Sequence, residues 1–292
     1  MSGVTERTSE PPRLRVRLRV RELYGYREIL WNLVRKELKV KYTASVLGAV
    51  WSLLNPLVFL AVFTFVSKML GGAVLDYPVF LLAGLLAWNL YSVAVSQGAQ
   101  SVIANANLVK KVYFPREILP LATVGVSLVD FVLQSVVLFV YVILTYGFVL
   151  DQIWLYPFAF VALLLFTTGM TMLISAMNVR YRDVQHLIGL ALLVWFWLTP
   201  IVYPAGTAYT NLLQYSHGDA LWKLYLLNPL AWIVFGFQGA LYHSSDAATK
   251  LAPFTTGQLA FALSIASAIA LLGVYLAWRL YFSMSGDFAE EL

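Results

Sequence analysis

"NANLVKKVYFPREILP", residues 105–120, lies between two apolar stretches of the chain, 79–103 and 119–145. Each stretch is longer than the about 20 residues that a helix needs to cross the apolar core of a bilayer. The quoted segment carries three cations, one carboxylate, two aromatic residues and two prolines. This alternation of long apolar runs with a short charged segment predicts two membrane helices joined by a solvent-facing loop.

The composition extends this interpretation to the whole chain. The sequence is 60% hydrophobic and 12% charged, whereas soluble domains are about 45–50% apolar and about 25% charged. The chain has no cysteine, which excludes disulfides and thiolate metal sites. These values predict an integral membrane protein. No secretory signal pattern precedes the first apolar run, so we expect that run to act as its own insertion signal in a bacterial cytoplasmic membrane.

Six apolar runs have the length of a membrane span. Because only helices satisfy their own backbone hydrogen bonds in lipid, we expect an all-α integral membrane fold with six transmembrane helices. The runs are 46–69, 79–103, 119–145, 154–177, 185–203 and 259–282.

The basic residues predict the orientation of these spans. Of the 20 Lys and Arg, eleven lie at or before Lys41, and six more share its side of the membrane, at Lys110, Lys111, Arg116, Arg180, Arg182 and Arg279. The other side carries Lys68, Lys223 and Lys250. Since cytoplasmic loops are enriched in Lys and Arg, we expect both termini and the 105–120 loop to be cytosolic.

One further segment, residues 220–242, is apolar but is interrupted by Asn228-Pro229 and by two glycines. Each half is too short to cross the bilayer. We expect a re-entrant external helix pair between transmembrane helices 5 and 6. An external pair that lies in the interface is an equal alternative.

The N-terminal region divides into two parts. Residues 1–25 are expected to be a basic cytosolic tail, flexible or lying on anionic headgroups, although the alternation in "RLRVRLRVRE" (13–22) has the period of a strand. Residues 26–42 place apolar side chains at helical spacing and predict an amphipathic interface helix. Residues 26–292 then form a single transmembrane domain with a short cytosolic C-terminus.

The spans contain little that could carry covalent chemistry. Asp130 is the one ionisable residue clearly inside a predicted span, and we expect it to pair helices. No phosphate-binding loop, metal-ligand cluster or nucleophile–base pair is apparent from spacing. The chain is therefore not expected to hydrolyse ATP, to act as an enzyme or to bind nucleic acid. Aromatic residues are abundant within the spans, and the candidates for lining a translocation path are Trp88, Tyr91, Trp195, Trp197 and Tyr203, with helix packing as the alternative for each.

The two short cytosolic loops have similar chemistry. The first combines lysines with Tyr113, Phe114 and Pro115. The two aromatic side chains would be costly to leave in water, and we expect lipid or a partner surface to cover them. The second, "NVRYRDVQ" (178–185), contains Arg180, Arg182 and Asp183. A partner-binding role explains the aromatics and the proline, whereas a role in topology alone explains only the cations.

Five motifs in order resemble the ATP-binding-cassette exporter permeases for polysaccharides, of the O-antigen and teichoic-acid type. They are "KYTASVLGAVWSLLNP" (41–56), "NLVKKVYFPREILPLA" (107–122), "YRDVQ" (181–185), "WFWLTPIVYP" (195–204) and "LNPLAWIVFGFQGAL" (227–241). The resemblance covers about residues 26–282. One departure is Gln238, where the family frequently has arginine.

The resemblance implies a homodimer of permease subunits that assembles with two copies of a separate ATPase, which holds the ATP and Mg, with no cofactor on this chain. It implies that the ATPase-coupling loop comprises Asn107, Lys110, Lys111, Tyr113, Phe114, Pro115, Arg116 and Glu117. It also implies that Leu47 and Gly48 lie where an undecaprenyl-pyrophosphate-linked glycan enters from the membrane lipids. From charge and position we add Arg35, Lys36, Lys39 and Lys41 to this entrance.

Other functions are compatible with parts of this pattern. A type-2 drug or lipid exporter of the same superfamily would share the helices and loops. A membrane enzyme acting on lipid-linked sugars would need clustered carboxylates or histidines at one membrane face. A channel or secondary transporter would need more than one intramembrane carboxylate.

Overall fold

A computed structural model describes residues 16–43, 50–69, 77–147, 151–242 and 254–292. Leu47 and Gly48 of the predicted lipid entrance lie outside these residues. Within them the ordered elements are helices, and no strand is present. The helices are α1 (Val16–Gly25), α2 (Arg27–Thr43), α3 (Val50–Met69), α4 (Tyr77–Ala104), α5 (Ala106–Lys111), α6 (Ile118–Tyr146), α7 (Leu155–Arg180), α8 (Val184–Trp197), α9 (Ala205–Leu212), α10 (Gly218–Tyr225), α11 (Pro229–Leu241), α12 (Thr256–Met284) and α13 (Phe288–Glu291).

Four of these helices, α4, α6, α7 and α12, are long and apolar enough to cross a membrane. The pair α10 and α11, bent by 80° at the break before Pro229, gives a fifth if it counts as one span. The chain is thus a multi-pass helical membrane protein. The count of six spans and the re-entrant geometry of the bent pair stay predictions.

The predicted fifth span, 185–203, differs in the structure. Helix α8 ends at Trp197, and its 14 residues extend about 21 Å at about 1.5 Å per residue, less than the about 30 Å core of a bilayer. Pro200, which has no backbone N–H, follows the helix end. The chain then turns into α9, so the apolar run is longer than the helix it forms.

Helix α4 is the centre of the fold. It packs against α6, α7 and α11, and most of its side chains between Pro78 and Tyr91 are buried. Gly98 lies so close to α7 that a Cβ at this position would overlap the Thr171 side chain. The absence of a side chain at Gly98 therefore permits the close approach of α4 and α7.

A second core lies at the end of the bundle where α4, α6 and α12 meet the short loops. Val109, Phe114, Ile118, Tyr281 and Phe288 are buried there against one another. Side chains from α1 and α2 pack onto the same cluster. The N-terminal helices, the first loop and the C-terminal segment are therefore one packed unit.

From Val16 onward the N-terminal region is helical rather than extended, and residues 1–15 of the predicted tail lie outside the described residues. Residues Val16–Gly25 form α1, so the period-two alternation of this segment does not produce a strand. Arg19 and Glu22 pair at a separation of 2.6 Å, one helical turn apart, and this i,i+3 pairing favours a helix. The amphipathic helix predicted for residues 26–42 is present as α2, whose Val34 is buried against Ala122 and Val126 of α6.

Candidate functional site

The first loop, residues 105–117, joins α4 to α6. It begins with the short helix α5, which ends because Val112 adopts an extended conformation (φ −127°, ψ 133°). Pro115 follows, and residues before a proline are disfavoured in helices. The first loop is therefore a short helix, followed by a non-helical segment that ends in a turn at Arg116 and Glu117 and leads into α6.

One side of the first loop faces outward. Asn107, Lys110, Lys111 and Val112 are exposed, and Tyr113 is 85% exposed, the largest fraction among the aromatic residues named here. We call residues 110–113 the exposed tip. It presents two cations next to two apolar side chains, a combination suited to binding another protein surface.

The other side of the first loop faces the protein. Phe114 is 5% exposed and lies in the second core, and Pro115 beside it is also buried. The expectation that lipid or a partner would cover both aromatic residues is thus wrong for Phe114, because the chain's own core covers it. Phe114 anchors the loop while Tyr113 is left exposed.

Glu117, at the end of the first loop, is fully buried. Arg19 of α1 donates two hydrogen bonds to its carboxylate, at 2.8 Å and 2.7 Å. Trp278 of α12 donates a third, at 3.2 Å. The Glu117 carboxylate therefore faces the interior of the chain, and its part in the ATPase-coupling loop stays a prediction.

Arg116 is half-buried and turns toward the C-terminal segment. Its Nη1 donates to the carbonyl of Ser285, and its own carbonyl accepts a hydrogen bond from the Tyr281 hydroxyl at 2.9 Å. Arg19, Trp278 and Tyr281 were not predicted from the sequence as part of this site. The one carboxylate of this cationic loop, Glu117, was the signal in the sequence that a partner is needed. Its partners Arg19 and Trp278 could not be identified, because they are 98 and 161 residues away.

The second loop is exposed and stays separate from the first in its polar contacts. Arg180, Arg182 and Asp183 are exposed, and the Arg180 guanidinium lies 5.9 Å from the ring centre of Tyr181. The buried Asn178 fixes the base of this loop, since its side chain donates to the Ala99 carbonyl at 2.8 Å and accepts from the Gln185 N–H at 3.0 Å.

The cations of the predicted lipid entrance differ in their contacts. Arg35, Lys36 and Lys39 are exposed on α2. Lys41 instead donates to the Asp130 carboxylate at 2.6 Å, and the Tyr42 hydroxyl donates to the same carboxylate at 3.0 Å. Asp130 thus pairs α6 with α2, in agreement with the helix-pairing role expected for it.

The aromatic candidates for path lining are mostly packed against one another. Tyr91 is fully buried, with ring-centre distances of 5.4 Å to Phe166 and 5.5 Å to Trp195. Trp88 lies 5.9 Å from Tyr91. Tyr91 therefore lines no open path in this conformation of the single chain.

The remaining two candidates lie at the end of α8. Trp197 is 60% exposed, and the Tyr203 hydroxyl donates to its backbone carbonyl at 3.0 Å. Of the five aromatic candidates, Trp197 alone presents a mostly open face.

Amide side chains connect the end of α8 to the bent pair. The Asn228 side-chain oxygen caps α11 by accepting from the Leu230 N–H at 3.1 Å, and it also accepts from the Trp195 indole at 2.9 Å. Gln238 is fully buried and donates to the Pro200 carbonyl at 2.9 Å. At the position where arginine was expected, a neutral side chain therefore binds a backbone carbonyl in the interior.

Comparisons with known proteins show what the sequence of this chain is similar to. Residues 28–242 match the ABC-2 type transporter family. The chain is 35% identical over 228 residues to the O-antigen export system permease protein RfbA of Myxococcus xanthus. The aligned region covers 76% of this chain and 84% of that protein. It is 32% and 31% identical, over 179 residues in each case, to two proteins of the same name from Klebsiella pneumoniae, covering 60% of this chain and 69% of each.

Proposed function

The chain belongs to the ABC-2 type transporter family, and from this premise we propose that it is the membrane-spanning subunit of an exporter for a lipid-linked polysaccharide of the O-antigen type. It is a transporter membrane subunit, not an enzyme. The relatives named as O-antigen export permeases support the choice of substrate class. In this proposal the energy comes from a separate ATPase subunit, which carries the ATP and Mg.

The observation that carries the proposal is the arrangement of the first loop. An exposed tip with Lys110, Lys111 and Tyr113 stands on a base that Phe114 fixes in the core. A rigid base lets a push on the tip move the helices α4 and α6 on either side. Such a tip suits a groove on the ATPase, with the second loop, Arg180 to Asp183, as an additional contact.

We propose that two copies of this chain form the path between them. Tyr91 packs against Trp88 and Trp195, so that within the described part of one copy these three rings line no open path. Helix α3 exposes apolar side chains such as Phe59, Val62 and Phe65, and a second copy would cover part of this surface. Two ATPase copies would then complete a symmetric assembly.

The exposed cations of α2 are proposed to meet the lipid carrier. Arg35, Lys36 and Lys39 face outward from a helix that packs along α6. A cation near an anionic membrane surface contributes about 1 kcal/mol of attraction, and a pyrophosphate group such as that of an undecaprenyl-pyrophosphate-linked glycan offers a concentrated negative charge. In this proposal α2 lies at the cytosolic face of the inner membrane, with both termini in the cytosol.

The mechanism follows from these contacts. ATP binding would draw the two ATPase subunits together, and the tips of both permease copies would move with them. The movement would separate the two permease copies and open a path for sugars between them, beside the exposed Trp197 at the end of α8. Aromatic faces stack on the apolar faces of sugar rings, so such a path would hold a glycan without charged groups.

The proposal is tested by co-expressing the chain with the ATPase encoded beside it in a strain that lacks its own exporter. We expect the two proteins to purify together and surface polysaccharide to appear. A strain that instead gains only drug resistance would favour the drug-exporter alternative.

A topology measurement tests the same proposal independently. Because the chain has no cysteine, a Tyr113→Cys variant carries a unique thiol at the exposed tip. We expect a membrane-impermeant thiol reagent to label it in inside-out vesicles and not in intact cells. Labelling from the external medium, or ATP hydrolysis by the purified chain alone, would contradict the proposal.

A further inference from the structure

Glu117 is a fully buried carboxylate that the docking of the exposed tip does not use. It lies immediately after Arg116, at the point where the first loop becomes α6. Its carboxylate faces inward, toward Arg19 of α1 and Trp278 of α12. The contacts of this one residue therefore connect regions that are distant in sequence.

Arg19 binds Glu117 with the geometry of a strong ion pair. The guanidinium donates from Nε and Nη2 to the two carboxylate oxygens, at 2.8 Å and 2.7 Å. Such bidentate pairs fix the relative orientation of both groups. The same guanidinium lies 4.9 Å from the ring centre of Phe282 at the end of α12, so Arg19 touches the loop and the last long helix together.

The charge of Arg19 is maintained by its surroundings. Burial alone would lower the pKa of the guanidinium, but the hydrogen bonds and charges of Glu117 and Glu22 raise it above its ordinary value. The arginine is therefore charged at every physiological pH, and the tie to Glu117 does not loosen through its deprotonation.

The C-terminal segment makes a second set of contacts with the same place. The Trp278 indole donates to Glu117, and the Tyr281 hydroxyl donates to the Arg116 carbonyl. Arg116 in turn donates to the Ser285 carbonyl. Residues 116 and 117 thus hold α1 on one side and the end of α12 on the other.

These contacts fix geometry more than they stabilise the fold. A buried ion pair adds little net stability compared with well-packed apolar side chains. The pair instead fixes the position and orientation of α1 relative to the first loop, because two parallel hydrogen bonds allow little sliding between them.

We propose that Glu117 is a positioning residue that joins α1 and the end of α12 to the first loop, so that the three move as one body when an ATPase moves the exposed tip. We call the contacts of Arg19, Glu117 and Trp278 the clasp. This inference rests on the proposed function, since it assigns the clasp a role in transmitting the motion of the ATPase. In this arrangement the N-terminal helix is part of the transmission element and not only a membrane anchor.

The first test measures how firmly the clasp holds α1, in the full complex with the ATPase. A spin label at Leu18→Cys, an exposed position of α1 in a chain without other cysteines, reports how tightly α1 is held. We expect Arg19→Gln to increase the mobility of the label. Arg21→Gln, which removes the same charge from an exposed position of the same helix, is the matched control and should leave the mobility unchanged. A label equally immobile in both variants would overturn the proposal.

The second test measures polysaccharide exported per ATP hydrolysed. We expect Arg19→Gln to lower this ratio about fivefold, in the range by which residues between coupled sites alter coupling, while the ATPase still purifies with the chain. Because Arg19→Gln leaves a buried carboxylate without its ion-pair partner, the double variant Arg19→Gln/Glu117→Gln is included. The double variant should also have a lowered ratio, since the tie is absent in both.

The outcomes separate the proposals. Full recovery of the ratio in the double variant would overturn the inference, because Arg19 would then serve only to neutralise Glu117. An unchanged ratio in Arg19→Gln would overturn it too. A wild-type chain that captures no ATPase contradicts the proposed function instead, and the label mobility, measured then in the full-length chain alone, still tests the clasp.

Discussion

Tyr113 and Phe114 are neighbours in sequence with opposite environments: Tyr113 is 85% exposed and Phe114 is 5% exposed. The backbone leaves α5 in an extended conformation at Val112, and the next two side chains lie on opposite sides of the loop. One aromatic ring is therefore available to a partner, and the other holds the loop to the core.

This relationship predicts different consequences for the two alanine substitutions. Tyr113→Ala should leave the unfolding temperature unchanged and weaken ATPase capture by about tenfold or more, as expected for an aromatic residue central to an interface. Phe114→Ala should lower the free energy of unfolding by about 3–5 kcal/mol, because it leaves a cavity in the second core. Thermal unfolding and quantitative co-purification check the pair. Equal ATPase capture by wild type and Tyr113→Ala would contradict the role of the tip.

The ion pair between Lys41 and Asp130 predicts coupling between α2 and α6. In a double-mutant cycle with Lys41→Met and Asp130→Leu, we expect an interaction free energy of about 1–2 kcal/mol. The value is below that of a fully buried pair because the Lys41 side chain is 40% exposed. Lys39→Met, at an exposed position one helical half-turn away, is the control and should show no coupling with Asp130→Leu. An interaction free energy near zero for Lys41 would mean that solvent screens this pair completely.

The two tryptophans of α8 are predicted to differ in role. Trp195→Ala should lower the free energy of unfolding by about 3–5 kcal/mol, because the ring packs against Tyr91 and the indole binds Asn228. Trp195→Phe keeps a ring and loses one hydrogen bond, which costs about 1 kcal/mol. Trp197→Ala should leave stability unchanged and slow export. Full export by a stable Trp197→Ala variant would exclude this residue from the path.

The close contact of α4 and α7 at Gly98 predicts a large effect of one methyl group. Gly98→Ala should destabilise the chain by about 1–3 kcal/mol, since the new Cβ would overlap the side chain of the buried Thr171. Gly189→Ala on α8 is the matched control, because a Cβ there meets no atom within 4 Å, and alanine favours a helix over glycine by up to about 1 kcal/mol. Denaturation of both variants measures the difference. Identical stabilities would show that α4 and α7 can move apart to accept the methyl group.

Much of the fold could be predicted because its signals are local. Continuous apolar runs predict membrane helices, and the period of residues 26–42 predicts the amphipathic helix α2. The polar segments between the runs located both loops, and the order of five motifs indicated the family. The length of α8 was overestimated, because an apolar composition continues past Trp197 where the helix does not.

The sequence by itself therefore determined that this is a helical membrane protein and which segments lie between its helices. The tertiary structure decided which apolar face is packed. In the most apolar 18-residue stretch of α4, 72% of the residues are buried within the chain, and in that of α12 only 17% are. Both helices are nevertheless apolar on all sides, because lipid and the protein interior favour the same side chains. It also decided that Glu117 binds Arg19 and that Lys41 binds Asp130. These pairs join residues about 90 positions or more apart, and an isolated charge in the sequence does not specify which distant opposite charge the packing of helices will bring to it.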